Sequence, residues 1–148
     1  MDKEEAQELH LLLFTLAGFV HKKFWLNLRK HSCFAPRANK NQVKIINILY
    51  YREGLTPTEI GQMLDLEKGS LTTILDQLEE MGFIVRRVDP NDRRKLLVSL
   101  SRAGRDQMDK TMSQYTESLV KLFKDVEDEE KATFIRSLRH VVDFIKKL

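Results

Sequence analysis

The chain has 148 residues, 42% of them hydrophobic, and its 25 Lys and Arg against 22 Asp and Glu leave a formal charge of only +3. That length suits one domain with a real core, and a single cysteine excludes an internal disulfide and fits a reducing compartment. The small net charge hides a segregated one: residues 1–8 are acidic, residues 21–44 hold seven Lys or Arg and no acid, and residues 125–130 are acidic again, a pattern that favours a polyanion partner on one face.

Residues 4–30 read as a helix. Leu9, Leu12, Leu13, Leu16, Phe19, Val20 and Phe24 recur at helical spacing, while Leu11, Phe14, Trp25 and Leu28 widen the apolar surface beyond one stripe, so this helix needs two partners. The apolar run 9–20 is broken by His10 and Thr15 and falls short of the roughly 20 residues that span a bilayer. Its leading residues are acidic, opposite to a signal peptide. No membrane partner is expected, and a cytoplasmic location is.

Cys33 follows, among Arg29, Lys30, His31 and Arg37, cations that stabilise a thiolate and sensitise it to peroxide. The plainer reading is an incidental thiol. His31 and Cys33 supply only two metal ligands, and no CxxC or HxxxH pair completes a site, so neither metal nor cofactor is expected.

Residues 55–101 carry the strongest local signals. Thr56 and Glu59 form a capping box around Pro57, with Leu55 and Ile60 as a hydrophobic staple. A short helix carries Ile60, Met63 and Leu64 inward and ends near Asp65; apolar spacing resumes at Leu71, Ile74, Leu75 and Leu78 in a second helix, 67–81. Two short helices joined this tightly cross steeply. Gly82 supplies the left-handed stop, and Phe83 folds back on the last turn. Strands 83–88 and 95–100 flank the turn cluster Asp89, Pro90, Asn91, Asp92, and Leu96, Val98 and Leu100 share one greasy face. From Arg86 to Arg105 the chain carries seven Lys or Arg against only Asp89 and Asp92, the footprint of a phosphate-binding hairpin. Ser101 caps a helix over 102–124, and Glu127 or Asp128 starts a last one with Phe134, Ile135, Leu138, Val141, Val142 and Ile145.

Gly69-Ser70-Leu71-Thr72, Leu78-Glu79-Glu80-Met81-Gly82-Phe83, the wing residues Asp92 and Arg94, and Leu100-Ser101 followed by Gly104 together resemble the multiple antibiotic resistance regulator (MarR) family. The resemblance implies a mainly α (α+β) fold: a winged helix-turn-helix over 42–101 within one domain of residues 1–148, with 4–30 and 102–148 as dimerisation helices. It implies a homodimeric transcription regulator that binds a pseudo-palindromic site in double-stranded DNA, here read as a repressor. Terminal helices too apolar to bury themselves on a small winged core agree with a two-fold dimer. The alternative is a winged helix used as a protein-interaction module.

The second helix is expected in the major groove, presenting Lys68, Gly69, Ser70, Thr72, Thr73 and Gln77. Its small hydroxyls can donate to phosphate, and Gln77 can pair with adenine. Many relatives have arginine after the threonine matching Thr72 and a basic residue where Gln77 stands; this chain has neither, and Glu67 replaces the usual Ser or Thr cap. The wing is therefore expected to carry an unusual share of affinity, through Arg93, Arg94, Lys95 and Arg86, with Asp92 holding Arg94. The resemblance also implies a small aromatic or anionic effector in a crevice between the dimer helices and the winged part, where His21, Trp25, Arg29, Tyr50 and Tyr51 are candidates. No Gly-rich phosphate loop, nucleophile elbow or facing carboxylate pair points to an enzyme.

Overall fold

In the computed structural model, which describes residues 1–34 and 37–148, the chain is mainly helical with one small sheet. Helix α1 (Lys3–Val20) is capped by Asp2, passes through a π-helical turn (His21–Trp25) and continues as α2 (Leu26–His31). Helices α3 (Lys40–Tyr51), α4 (Pro57–Leu64) and α5 (Lys68–Glu80) follow, then strands β1 (Ile84–Val88) and β2 (Leu96–Leu100), then α6 (Arg102–Leu122) and α7 (Asp128–Ile145). Two compact units are found, residues 1–115 and 116–148. No helix of the described residues is long and apolar enough to cross a membrane.

The expected uninterrupted first helix is interrupted at the π turn. The Leu26 N–H bonds the carbonyl of His21, five residues back. One added residue rotates everything beyond it by about 100°. Before the turn both apolar faces of α1 are open, with Leu12 59%, Leu11 63% and Phe14 73% exposed, and beyond it Leu28 is buried.

The core of the first unit is built from α3, α4, α5 and the sheet. Ile45, Ile46, Leu49, Ile60, Leu75, Leu78 and Val98 are fully buried, each contributing roughly 1.5–3 kcal/mol. Phe34 meets the Phe83 ring edge-on at 4.8 Å between centroids. The Thr56 and Glu59 capping box forms with Pro57 in the first turn, and Asp65 ends α4 in the left-handed region at φ 50°. Gly82, at φ 76°, ends α5, and the Phe83 N–H returns to the Leu78 carbonyl at 3.0 Å.

β1 and β2 pair antiparallel, from Ile84 opposite Leu100 to Val88 opposite Leu96, and Leu55 adds a one-residue bridge to Val98 through bonds of 3.2 and 2.7 Å. Of the expected greasy face, Val98 and Leu100 are buried but Leu96 is 48% exposed, because it lies at the wing end of the hairpin, beyond the core. Ser101 joins the parts. Its hydroxyl donates to the Gly82 carbonyl at 2.6 Å and accepts the Gly104 N–H at 2.9 Å. Gly104 lets α6 approach so closely that a Cβ there would stand 2.1 Å from the Phe83 carbonyl oxygen.

Candidate nucleic-acid interface

Helix α5 begins at Lys68 behind Glu67, which makes no side-chain cap. Leu71, Leu75 and Leu78 face the core, and Lys68, Gly69, Ser70, Thr72, Thr73 and Gln77 are exposed. Their polar atoms are partly committed. Thr72 donates its hydroxyl to the Lys68 carbonyl at 2.9 Å and Thr73 to the Gly69 carbonyl at 3.3 Å, so each hydroxyl must give up a bond within its own helix to donate to phosphate. Gln77 accepts a hydrogen bond of 2.8 Å from Nε2 of Gln42 on α3. Nothing lies within 4 Å of a Cβ placed on Gly69, so the protein itself leaves room there for a side chain.

The wing tip is organised by its own acids. Asp89 accepts the Asn91 N–H at 2.8 Å, and its N–H donates to the Lys95 carbonyl at 2.9 Å. Asp92 Oδ1 accepts both the backbone N–H and Nε–H of Arg94, at 3.1 and 3.2 Å. The Arg94 backbone and guanidinium hold the Asp92 carboxyl below its ordinary range, with Lys95 adding to the effect. The Arg94 side chain remains 91% exposed, and Arg93 and Lys95 beside it are exposed as well. Asp92 therefore orients Arg94 without hiding it.

Arg86 is placed differently from its wing neighbours. Its guanidinium lies 2.6 Å from Asp76 and 3.5 Å from Glu79, both on α5, and its side chain is only 23% exposed. This arginine ties β1 to α5 instead of extending toward a ligand. Arg105, another of the basic cluster, pairs with Glu53 and sits over the Tyr50 ring at 5.6 Å.

The residues that sequence reasoning missed support this face from behind. Asn39 and Gln42 form a capping box at the start of α3, a signal legible as Asn followed three residues later by Gln. Nothing in the sequence indicates that Gln42 also reaches Gln77, 35 residues away. Asp76 and Glu79 were equally unmarked as partners of Arg86.

The effector candidates fall into neighbouring hollows. His21, Trp25 and Tyr51 line an open cleft of about 880 Å³ with Ile48, Met63 and Met112. His21 and Trp25 also border a smaller hollow of about 290 Å³, where Arg29, Lys40 and Lys44 add positive charge. Tyr50 is engaged elsewhere: its hydroxyl donates to Asp109 at 2.7 Å, a bond that raises its pKa. His21 and Trp25, the first and last residues of the π turn, stand on the walls of both hollows. Cys33 is exposed, and its backbone N–H donates to Thr111 Oγ1 at 3.1 Å.

Comparison with known proteins agrees with this geometry. The sequence model of the MarR family matches residues 38–96. The chain is 26% identical over 141 residues to the HTH-type transcriptional regulator SarZ of Staphylococcus haemolyticus, covering 95% of this chain and 91% of that protein. It is 28% identical over 134 residues to the HTH-type transcriptional repressor YetL of Bacillus subtilis, covering 88% and 77%. The crystal structure of apo wild-type MarR from E. coli superposes with a TM-score of 0.69 at 27% identity, over 87% of this chain and 96% of that one.

Proposed function

We propose that the chain is a winged-helix transcription regulator of the MarR family, which binds a pseudo-palindromic operator in double-stranded DNA as a homodimer and acts as a repressor. The observation that carries this reading is the pairing of an exposed α5 face with a wing tip whose Arg94 is oriented by Asp92 and still 91% exposed. Lys68, Gly69, Ser70, Thr72, Thr73 and Gln77 meet base edges and the adjoining backbone, and Arg93, Arg94 and Lys95 meet phosphates or the minor groove. Arg86 serves by fixing the wing against α5.

Dimerisation uses 4–30 and 102–148, outside the winged reader of 42–101. In support, neither α1 nor α7 has a single buried residue, although α1 exposes Leu11, Leu12, Phe14 and Phe19 and α7 exposes Ile135, Val142, Phe144 and Ile145. Apolar surface left so open marks an association face. The cleft of His21, Trp25 and Tyr51 takes a small aromatic or anionic effector whose binding changes DNA affinity. The protein works on DNA in the cytoplasm, as a regulator and not an enzyme.

Sedimentation combined with gel shifts on fragments from the source genome tests this reading. A dimer whose affinity falls steeply with salt, with recognition helices spaced about 34 Å apart on a two-fold site, is expected. A monomer indifferent to DNA would leave the interaction-module reading instead.

A further inference from the structure

Gln42 is a polar side chain only 4% exposed, and both ends of its amide are used. Its Oε1 accepts the Asn39 backbone N–H at 2.7 Å. A backbone N–H can only donate, so this bond decides which end of the Gln42 amide faces the cap. The remaining end, Nε2, is a donor, and it meets Oε1 of Gln77 at 2.8 Å. Two facing amides pair only as donor with acceptor. Gln77 must therefore give its oxygen to the protein, which leaves its NH2 as the group for a ligand.

Ser70, Thr73 and Gln77 follow one another at i, i+3 and i+7 and so share one exposed face of α5. In the major groove, guanine shows acceptors at N7 and O6 and thymine one at O4. Cytosine shows only the N4 donor, and adenine a donor beside its N7 acceptor.

We propose that Gln42 is a positioning residue for sequence specificity: by holding the Gln77 oxygen, it presents Gln77 to DNA as a hydrogen-bond donor, so that the base read there is guanine or thymine on the contacted strand. This replaces the adenine pairing expected from the residue type alone, and it rests on the DNA-reading role of α5 proposed above.

Gln42→Glu is the informative variant. A carboxylate still accepts the Asn39 N–H and preserves the capping box, but it has no donor. Gln77 must then turn its NH2 toward residue 42 and its oxygen toward the base. Selection from randomised half-sites with the full chain is expected to show guanine or thymine favoured at one position by the parent, and cytosine or adenine favoured there by Gln42→Glu. Relative affinity for the two sites should change on the order of tenfold. Gln42→Met removes the tether and flattens the preference without reversing it. Loss of a merely structural contact would lower affinity for all sequences alike.

Side-chain amide exchange in the unaltered, DNA-free protein checks the geometry without a variant: Gln42 NH2 protons protected, Gln77 NH2 protons exchanging. The inference is overturned if Gln42→Glu keeps the parental preference, if Gln77→Ala changes preference at no position, or if the Gln77 protons are the protected ones. Absence of sequence-dependent binding by the parent would remove the DNA-reading role of α5, and this inference with it; reversal failing in a protein that does bind its operator removes the inference alone.

Discussion

Helix α5 and the wing tip both carry exposed polar side chains, but they use them in opposite directions. On α5, Thr72 and Thr73 return their hydroxyl hydrogens to their own helix, Gln77 leans on Gln42, and Asp76 and Glu79 hold Arg86. The helix has one cation, Lys68, against Asp76, Glu79 and Glu80. At the wing tip, Asp89 and Asp92 fold the loop on itself and leave Arg93, Arg94 and Lys95 exposed. A surface whose polar groups are largely engaged, and which offers a single cation, is suited to discriminating base edges more than to attracting phosphate. Exposed cations supply attraction to phosphate that is independent of sequence and sensitive to salt. In the proposed DNA complex, specificity and affinity are thus divided between the two regions.

The division requires that helix and wing be held as one body, and Gly104→Ala should break that most severely. The added methyl collides with the Phe83 backbone at the junction of α5 and β1, and overpacking of this kind costs about 3 kcal/mol. A melting temperature lowered by roughly 10 °C is expected, with operator and random DNA affinity falling together. Arg86→Met loosens the same junction more gently. Loss of its ion pairs with Asp76 and Glu79 should cost about 1 kcal/mol in chemical denaturation, while Arg93, Arg94 and Lys95 keep their salt-dependent attraction.

Gly69→Ala separates folding from binding. The protein has space for the methyl, and alanine is the better helix former, so stability should rise by about 0.5 kcal/mol. If α5 reads DNA as proposed, operator affinity should nevertheless fall, because the added methyl stands on the exposed face assigned to the DNA. The smallest effect concerns pH. The Arg94 backbone N–H and guanidinium depress the Asp92 carboxyl, so the loop contact contributes above the ordinary aspartate value and is lost only as pH falls through the lowered one. Following the Asp92 carboxyl carbon by NMR should give a midpoint below about 3.9, which moves back up in Arg94→Ala.

Much of the winged segment was legible because its signals are local. Thr56, Pro57 and Glu59 start α4, Gly82 ends α5, Ser101 caps α6, and the structure puts each of them to that use. The Asp92 and Arg94 contact also spans only two residues, and the family resemblance led to its expectation. What escaped depends on pairs distant in sequence or on backbone register. The Arg86 contacts with Asp76 and Glu79 need the hairpin laid along α5, and the Gln42 contact with Gln77 needs α3 packed beside it. The π turn at 21–25 has no signature in residue type, yet it shifts the helical register between α1 and α2.

Salt titration of DNA binding by the parent, Arg94→Ala and Gln77→Ala, on operator and on random sequence, tests the division most directly. Arg94→Ala should lose roughly tenfold in affinity near 0.1 M salt on both DNAs and reduce the salt slope by about 0.9, while Gln77→Ala keeps the parental slope and loses preference for the operator. A parental slope in Arg94→Ala, with Gln77→Ala weakened equally on every sequence, would contradict it.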